Sequence, residues 1–174
     1  MRDTIARRSD VDKNSVKFEV EPGTGKYRNG TITFSALKGE SIDLQKLCEN
    51  IKATRLGKGT RSKVNYLEIT AEGEVVAADK DALLTVSGTA QQFSLGDDPK
   101  AKPEEGVKTA YQRLREVLAK GEKIASVTGR VQGWSGVWSE VLRELATEPA
   151  KDKDKPGRKK PTLLFVTDFQ TVKK

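Results

Sequence analysis

Apolar and polar positions along the chain follow two rhythms, and residues 64–95 carry the clearest of them. In VNYLEITAEGEVVAADKDALLTVSGTAQQFSL, Leu67, Ile69 and Ala71 share one face of a strand, and Leu84 and Val86 share one face of another. The polar Asp79-Lys80-Asp81 between them reads as a turn, so the stretch predicts an antiparallel pair in the middle of a sheet. Phe93 and Leu95 have the opposite parity to Leu84 and Val86. A bulge near Gly88, inside one long strand over residues 83–95, would restore a common face.

Alternation also predicts a strand at residues 16–20 and a small hairpin over residues 26–34. That hairpin turns at Asn29-Gly30, two residues that tolerate positive φ. Residues 1–14 are polar and aperiodic and read as a mobile tail. The helical rhythm begins after Ser41, a suitable N-cap. Leu44, Leu47, Cys48 and Ile51 then predict a helix over residues 42–56, stopped by Gly57. Val107, Tyr111, Leu114, Val117 and Leu118 predict a second helix, ended by Gly121. A strand at residues 123–132 follows. Trp134, Val137, Trp138, Val141, Leu142 and Leu145 then mark a third helix. Residues 148–161 hold no large apolar side chain and read as a mobile, charged loop. Leu163, Leu164, Phe165, Val166, Phe169 and Val172 make a last strand, whose near-continuous apolar run predicts an interior position.

Gly73, Gly88 and Gly129 each sit in the middle of a predicted strand. Glycine there marks a bulge, a bend or a close backbone approach, so the three predict a strongly curved sheet. The pattern as a whole gives an α+β chain with a tail at residues 1–14 and one domain over residues 15–174.

The order strand, helix, strand, strand, helix, strand matches a ferredoxin-like βαββαβ core, extended here by a helix and a C-terminal strand. On that order, and on the helix beginning Asp43-Leu44-Gln45-Lys46-Leu47, residues 16–76 resemble the heavy-metal-associated domains. Those domains hold a soft metal on a Cys-x-x-Cys pair in the loop before the first helix. Residues 22–41 contain no cysteine, so the resemblance brings no ligand with it. The curved glycine-bearing strands also resemble an OB-fold, a five-stranded partly open barrel that binds oligonucleotides, oligosaccharides or proteins. The ferredoxin-like order is the first expectation and the OB-fold-like barrel the alternative.

Composition narrows the chemistry. The chain has 174 residues, no histidine and one cysteine. It therefore lacks the commonest general base and metal ligand, and no internal disulfide can form. Cys48, on the apolar side of its helix, reads as a small buried hydrophobe. No apolar run approaches the length of a membrane span, and the first residues do not read as a signal peptide. The chain reads as soluble, with its compartment open. Gly23-Thr24-Gly25-Lys26 fails as a phosphate loop, because Val20 and Tyr27 occupy the positions that need Gly and Ser or Thr. Asn29-Gly30-Thr31 fits a glycosylation acceptor, but the turn accounts for Asn-Gly better.

The net charge of +7 favours a polyanion, although much of the excess falls in loops. The candidate anion-binding side chains are Arg55, Lys58, Arg61 and Lys63 around one basic loop, Arg130 on a strand, and Lys159 and Lys160 in the late charged loop. Trp134 and Trp138 could stack on bases, but their helical spacing assigns them to a core. Carboxylates available to an enzyme would be Glu68, Glu72, Glu74 or Asp168. Asp168, set in the most apolar strand, reads as a solvent-facing residue at a bulge. The expectation is a non-catalytic binding or adaptor module without metal or cofactor, acting on a protein or polyanion. Nucleic-acid binding through basic loops is the alternative.

Overall fold

The computed structural model describes residues 1–20, 30–56, 60–61, 65–77, 81–99, 103–132 and 161–172. Residues 1–63 and 64–174 form two compact units, where one domain from residue 15 is expected. Among the described residues, no helix is long and apolar enough to cross a membrane.

In the first unit, α1 (Arg2–Ala6) leads into β1 (Val11–Val20), which pairs antiparallel with β2 (Gly30–Ala36). Helix α2 (Leu44–Ala53) and the two-residue strands β3 (Arg55–Leu56) and β4 (Thr60–Arg61) follow. Residues 1–14 are thus not a tail. Ile5 and Val11 are buried together with Val16 and with Leu44, Leu47, Cys48 and Ile51 of α2. Those four are the α2 positions whose helical spacing predicted a buried face. The helix starts two residues later than expected, because Asp43 rather than Ser41 is the N-cap: its side chain accepts a hydrogen bond from the Lys46 N–H. Gly30, expected in a turn, instead pairs with Val20 in the ladder, and Asn29 lies outside the described residues.

The second unit holds a closed barrel. Its strands are β5 (Glu68–Ala77), β6 (Ala82–Val86), β7 (Gln92–Gly96), β8 (Ile124–Val131) and β9 (Thr162–Thr171), in the order β5-β6-β7-β9-β8 and back to β5. Helix α3 (Ala110–Ala119) lies between the third and fourth strands. The pairs are antiparallel except β7 with β9, which is parallel. This order fits the OB-fold-like alternative. The ferredoxin-like core does not form: β1 pairs only with β2 among the described residues, and β5 pairs with β6 and β8 inside a different unit.

Direct cross-strand partners share a face, so the register identifies the interior. Val75, Leu84 and Phe93 align across β5, β6 and β7, and Leu95, Leu164 and Val131 align across β7, β9 and β8. Leu84, Phe93, Leu95, Leu164 and Val127 are buried almost completely, as is Leu114 of α3. The last strand takes the interior position its apolar run predicts, since it pairs on both sides.

Helix α3 begins at a Thr109–Gln112 capping box, which leaves Val107 outside the helix and exposed. The stretch expected as one strand over residues 83–95 is a hairpin instead. Residues 87–90 turn the chain, with Gly88 at φ 74°, so the parity change between Leu84 and Phe93 follows from reversal rather than a bulge. Register shifts do occur in β8–β9. One, between Ile124 and Ser126, puts Ile124 on the buried face with Val127. The other, between Thr128 and Gly129, lies at Asp168, which is exposed as expected. The expected helix over residues 134–145 and the loop over residues 148–161 lie outside the described residues.

Gly73 and Gly129 are sites of close backbone approach. A Cβ on Gly129 would meet the Phe165 carbonyl oxygen at 3.0 Å, and one on Gly73 would meet the Thr85 carbonyl oxygen at 2.0 Å. The second contact leaves no room for a side chain unless β5 and β6 part. Gly73→Ala is therefore expected to destabilise the barrel by about 3 kcal/mol. Denaturant unfolding followed by far-UV circular dichroism measures this. A loss below about 1 kcal/mol would show that the strands separate easily and that the close approach does not constrain the barrel.

Candidate functional site

Charge is unevenly divided between the two units. Residues 1–63 hold 14 Lys and Arg against 8 Asp and Glu, while residues 64–174 hold 18 against 17. The excess of +7 thus lies almost entirely in the first unit, and the barrel unit is close to neutral.

The predicted anion-binding residues do not gather at one place. The backbones of Arg55 and Arg61 stand opposite each other in the β3–β4 ladder. Lys58, Lys63, Lys159 and Lys160 lie outside the described residues. Arg130 is in the other unit, on the outer face of β8. Its guanidinium lies 4.8 Å from the centre of the Tyr66 ring, and its Nε is 3.4 Å from the Glu68 carboxylate. All three side chains are about half exposed, so this is a surface cluster of modest strength. The carboxylates considered for catalysis do not converge. Glu68 faces Arg130, Glu72 and Glu74 are exposed along β5, and Asp168 is at its register shift.

The barrel exterior has a second feature. Val76, Leu83, Ser94 and Leu163 stand in register across β5, β6, β7 and β9, with side chains opposite to the core. Val76 is exposed, and the other three are half-buried. Phe165, two positions after Leu163, is on the same face and half-buried. Between the leucines of β6 and β9, strand β7 offers only Ser94 and Gly96. A Cβ on Gly96 would meet Leu163 Cδ1 at 3.0 Å, so the leucine leans over the glycine. The result is a low apolar surface, flanked by the hydrogen-bonded pair Gln92 and Thr85.

The first unit contains a polar cluster that the sequence pattern did not reveal. Arg8 has only 5% of its side chain exposed. Its Nε donates to Asp10 Oδ1 at 2.8 Å, and its Nη2 donates to Asp10 Oδ2 and, at 3.1 Å, to the Asp43 carbonyl. The Asp43 N–H donates in turn to Asp10 Oδ2 at 3.1 Å. This network ties the turn between α1 and β1 to the start of α2. It was missed because residues 1–14 read as a tail. The signals available were Ile5 and the Arg8-x-Asp10 spacing, both too short to establish a pattern alone.

Burial pushes the Asp10 carboxyl up. The Arg8 hydrogen bond, the Asp43 N–H and the Arg8 charge outweigh that and hold its pKa below the ordinary value of 3.8. Burial pushes the Cys48 thiol up to about 11, with the Lys52 charge opposing and the Glu49 charge adding to it.

No family model, curated protein or solved structure matches this chain.

Two outcomes follow from these shifts. A carboxyl with a depressed native pKa stabilises the fold above its unfolded pKa and loses that contribution as pH falls through the native value. Unfolding of the first unit, followed by NMR signals of α2, is therefore expected to become easier as pH drops below about 4. Asp10→Asn should flatten that dependence; an unchanged slope would remove Asp10 as its source. The Cys48 thiol is fully buried, so a disulfide reagent at pH 8 should label it only as fast as the unit opens. Immediate labelling would contradict its burial.

Proposed function

We propose that this chain is a non-catalytic binding or adaptor module whose barrel presents the outer face of β6, β7 and β9 to a protein partner. The observation that carries this reading is the in-register row Val76, Leu83, Ser94 and Leu163, continued by Phe165. An apolar row on the exterior of a closed barrel contributes nothing to the interior, and such surfaces serve as interaction sites. Strand order supports reading the barrel as an OB-fold, in which the second and third strands form the ligand face. Here those strands are β6 and β7. The near-neutral charge of this unit, with Glu72 and Glu74 exposed on the adjacent strand, favours a polypeptide over a polyanion.

Nucleic-acid binding remains the second reading, and one observation favours it. The first unit carries a net charge of +6 in 63 residues. It would act through that unit rather than through the barrel.

A photo-crosslinking residue placed at Gln92, beside the apolar row, separates the two. In cells producing the full chain, it should give a discrete protein adduct that a matched probe at Thr70 does not. Adducts at both positions alike, or none, would overturn the barrel-face reading. Titration of the full chain with single-stranded DNA at two salt concentrations tests the second. Tight binding that weakens steeply with salt would establish it, and absent or salt-independent binding would end it.

A further inference from the structure

Strands β1 and β2 form a two-stranded ribbon whose faces differ. Lys17 stands opposite Thr33 and Glu19 opposite Thr31, so one face is polar, and all four residues are exposed. On the other face Phe18 stands opposite Ile32 and Val20 opposite Gly30, with Phe34 two positions beyond Ile32. Toward the core this apolar side is covered, since Val16 is buried and Phe34 is half-buried. Farther out it is open: Phe18 is 50% exposed and Val20 45%.

The Phe18 ring is nevertheless supported. A Cβ on Gly30 would meet Phe18 Cε2 at 2.7 Å and Cζ at 3.0 Å, so the ring lies over the glycine, in the space a side chain would take. An aromatic ring covering a strand glycine is a known means of shielding the backbone. It rests one side of the ring on β2 and leaves the outer side in solvent. An open aromatic face on a sheet is what an unpaired base stacks on.

Charge points to the same kind of ligand. The unit carries a net charge of +6, which favours an anionic partner. The apolar side of the outer ribbon holds no charged residue among the described residues, so an anion's charges must fall beside it. Lys13 and Lys17 of β1 are exposed there and have no ion-pair partner among the described residues. They lie on a strand that pairs on one edge only among the described residues. A nucleotide matches this division, with an uncharged flat base and a phosphate to its side.

We propose that the outer half of the β1–β2 ribbon binds single-stranded nucleic acid, with Phe18 stacking on a base and Lys13 and Lys17 meeting phosphates along the open edge of β1. The proposal rests on the nucleic-acid reading of the first unit and names its element and its substrate. A single strand is required, because in a duplex the neighbouring base pairs cover both faces of each base.

The test is fluorescence anisotropy of a labelled oligothymidylate titrated with the full chain, beside a duplex of the same length, at two salt concentrations. The native chain is expected to bind the single strand more tightly than the duplex. Phe18→Leu keeps an apolar side chain over Gly30 but removes the ring. It should weaken single-strand binding about tenfold, within the range of one base–aromatic stack, and leave the salt slope unchanged. Phe18→Tyr should retain binding. Lys13→Ser with Lys17→Ser should make the salt slope shallower by roughly 1. Circular dichroism confirms that each variant is folded. Binding of Phe18→Leu equal to the native chain overturns the proposal and leaves the nucleic-acid reading standing. Preference for the duplex does the same. Absence of saturable binding by the native chain ends both, and a discrete protein adduct from a photo-crosslinking residue at Val20 would then assign the face to a polypeptide. A crosslinking failure at Gln92 leaves this site untouched, because the two rest on different units.

Discussion

Pairing of β9 on both sides is the constraint on which the barrel depends. The strand runs antiparallel to β8 and parallel to β7, and the ring cannot close without it. Closure removes the exposed strand edges that would otherwise recruit other chains. It also gives the interior its composition. Leu164 enters the core between Leu95 on one side and Val131 on the other, and Val166 follows it opposite Gly129. The alternate positions, Leu163 and Phe165, are forced outward by the two-residue period of a strand. An apolar run long enough to suggest a fully buried strand therefore serves two surfaces here. One half fills the barrel and the other forms the exterior face read above as a contact surface.

The first unit is held by different means. It has a two-stranded sheet, two helices and a short ladder, and a sheet of two strands is weak alone. Its apolar core of Ile5, Val11, Val16, Leu47, Cys48 and Ile51 is small. The Arg8–Asp10–Asp43 network adds a directional tie between α1, β1 and α2. A buried pair of this kind is weak evidence for net stability, since desolvation opposes the attraction. Its geometric consequence is clearer: it fixes the start of α2 against the turn after α1 and leaves one guanidinium nitrogen without a protein partner.

Helix α2 was legible because four apolar residues at helical spacing leave few alternatives, and Cys48 was correctly placed on the buried face. The bulge at Asp168 was legible because a carboxylate in an apolar strand needs solvent. The hairpin at residues 87–90 was not. Gly88 fits both a bulge and a reversing turn, and local pattern does not distinguish them. The start of the chain was misread because Ile5 and Val11 are isolated apolar residues, and α1 packs against α2, which lies far along the chain. The charge division was present in the sequence but had no meaning until the unit boundary near residue 63 was known.

Local periodicity by itself determined the existence of α2, α3, β5 and β9, the buried face of α2, and the curvature implied by Gly73 and Gly129. Those are properties of neighbours in sequence, fixed by the 3.6- and two-residue repeats. Tertiary structure alone decided the rest. A strand's pattern records that one face is buried, but not which strand covers it, so ferredoxin-like and barrel orders share one reading until pairing is seen. The same holds for Arg8. Its partners lie at Asp10 and Asp43, and only folding brings the Asp43 carbonyl close enough for the charge to be buried.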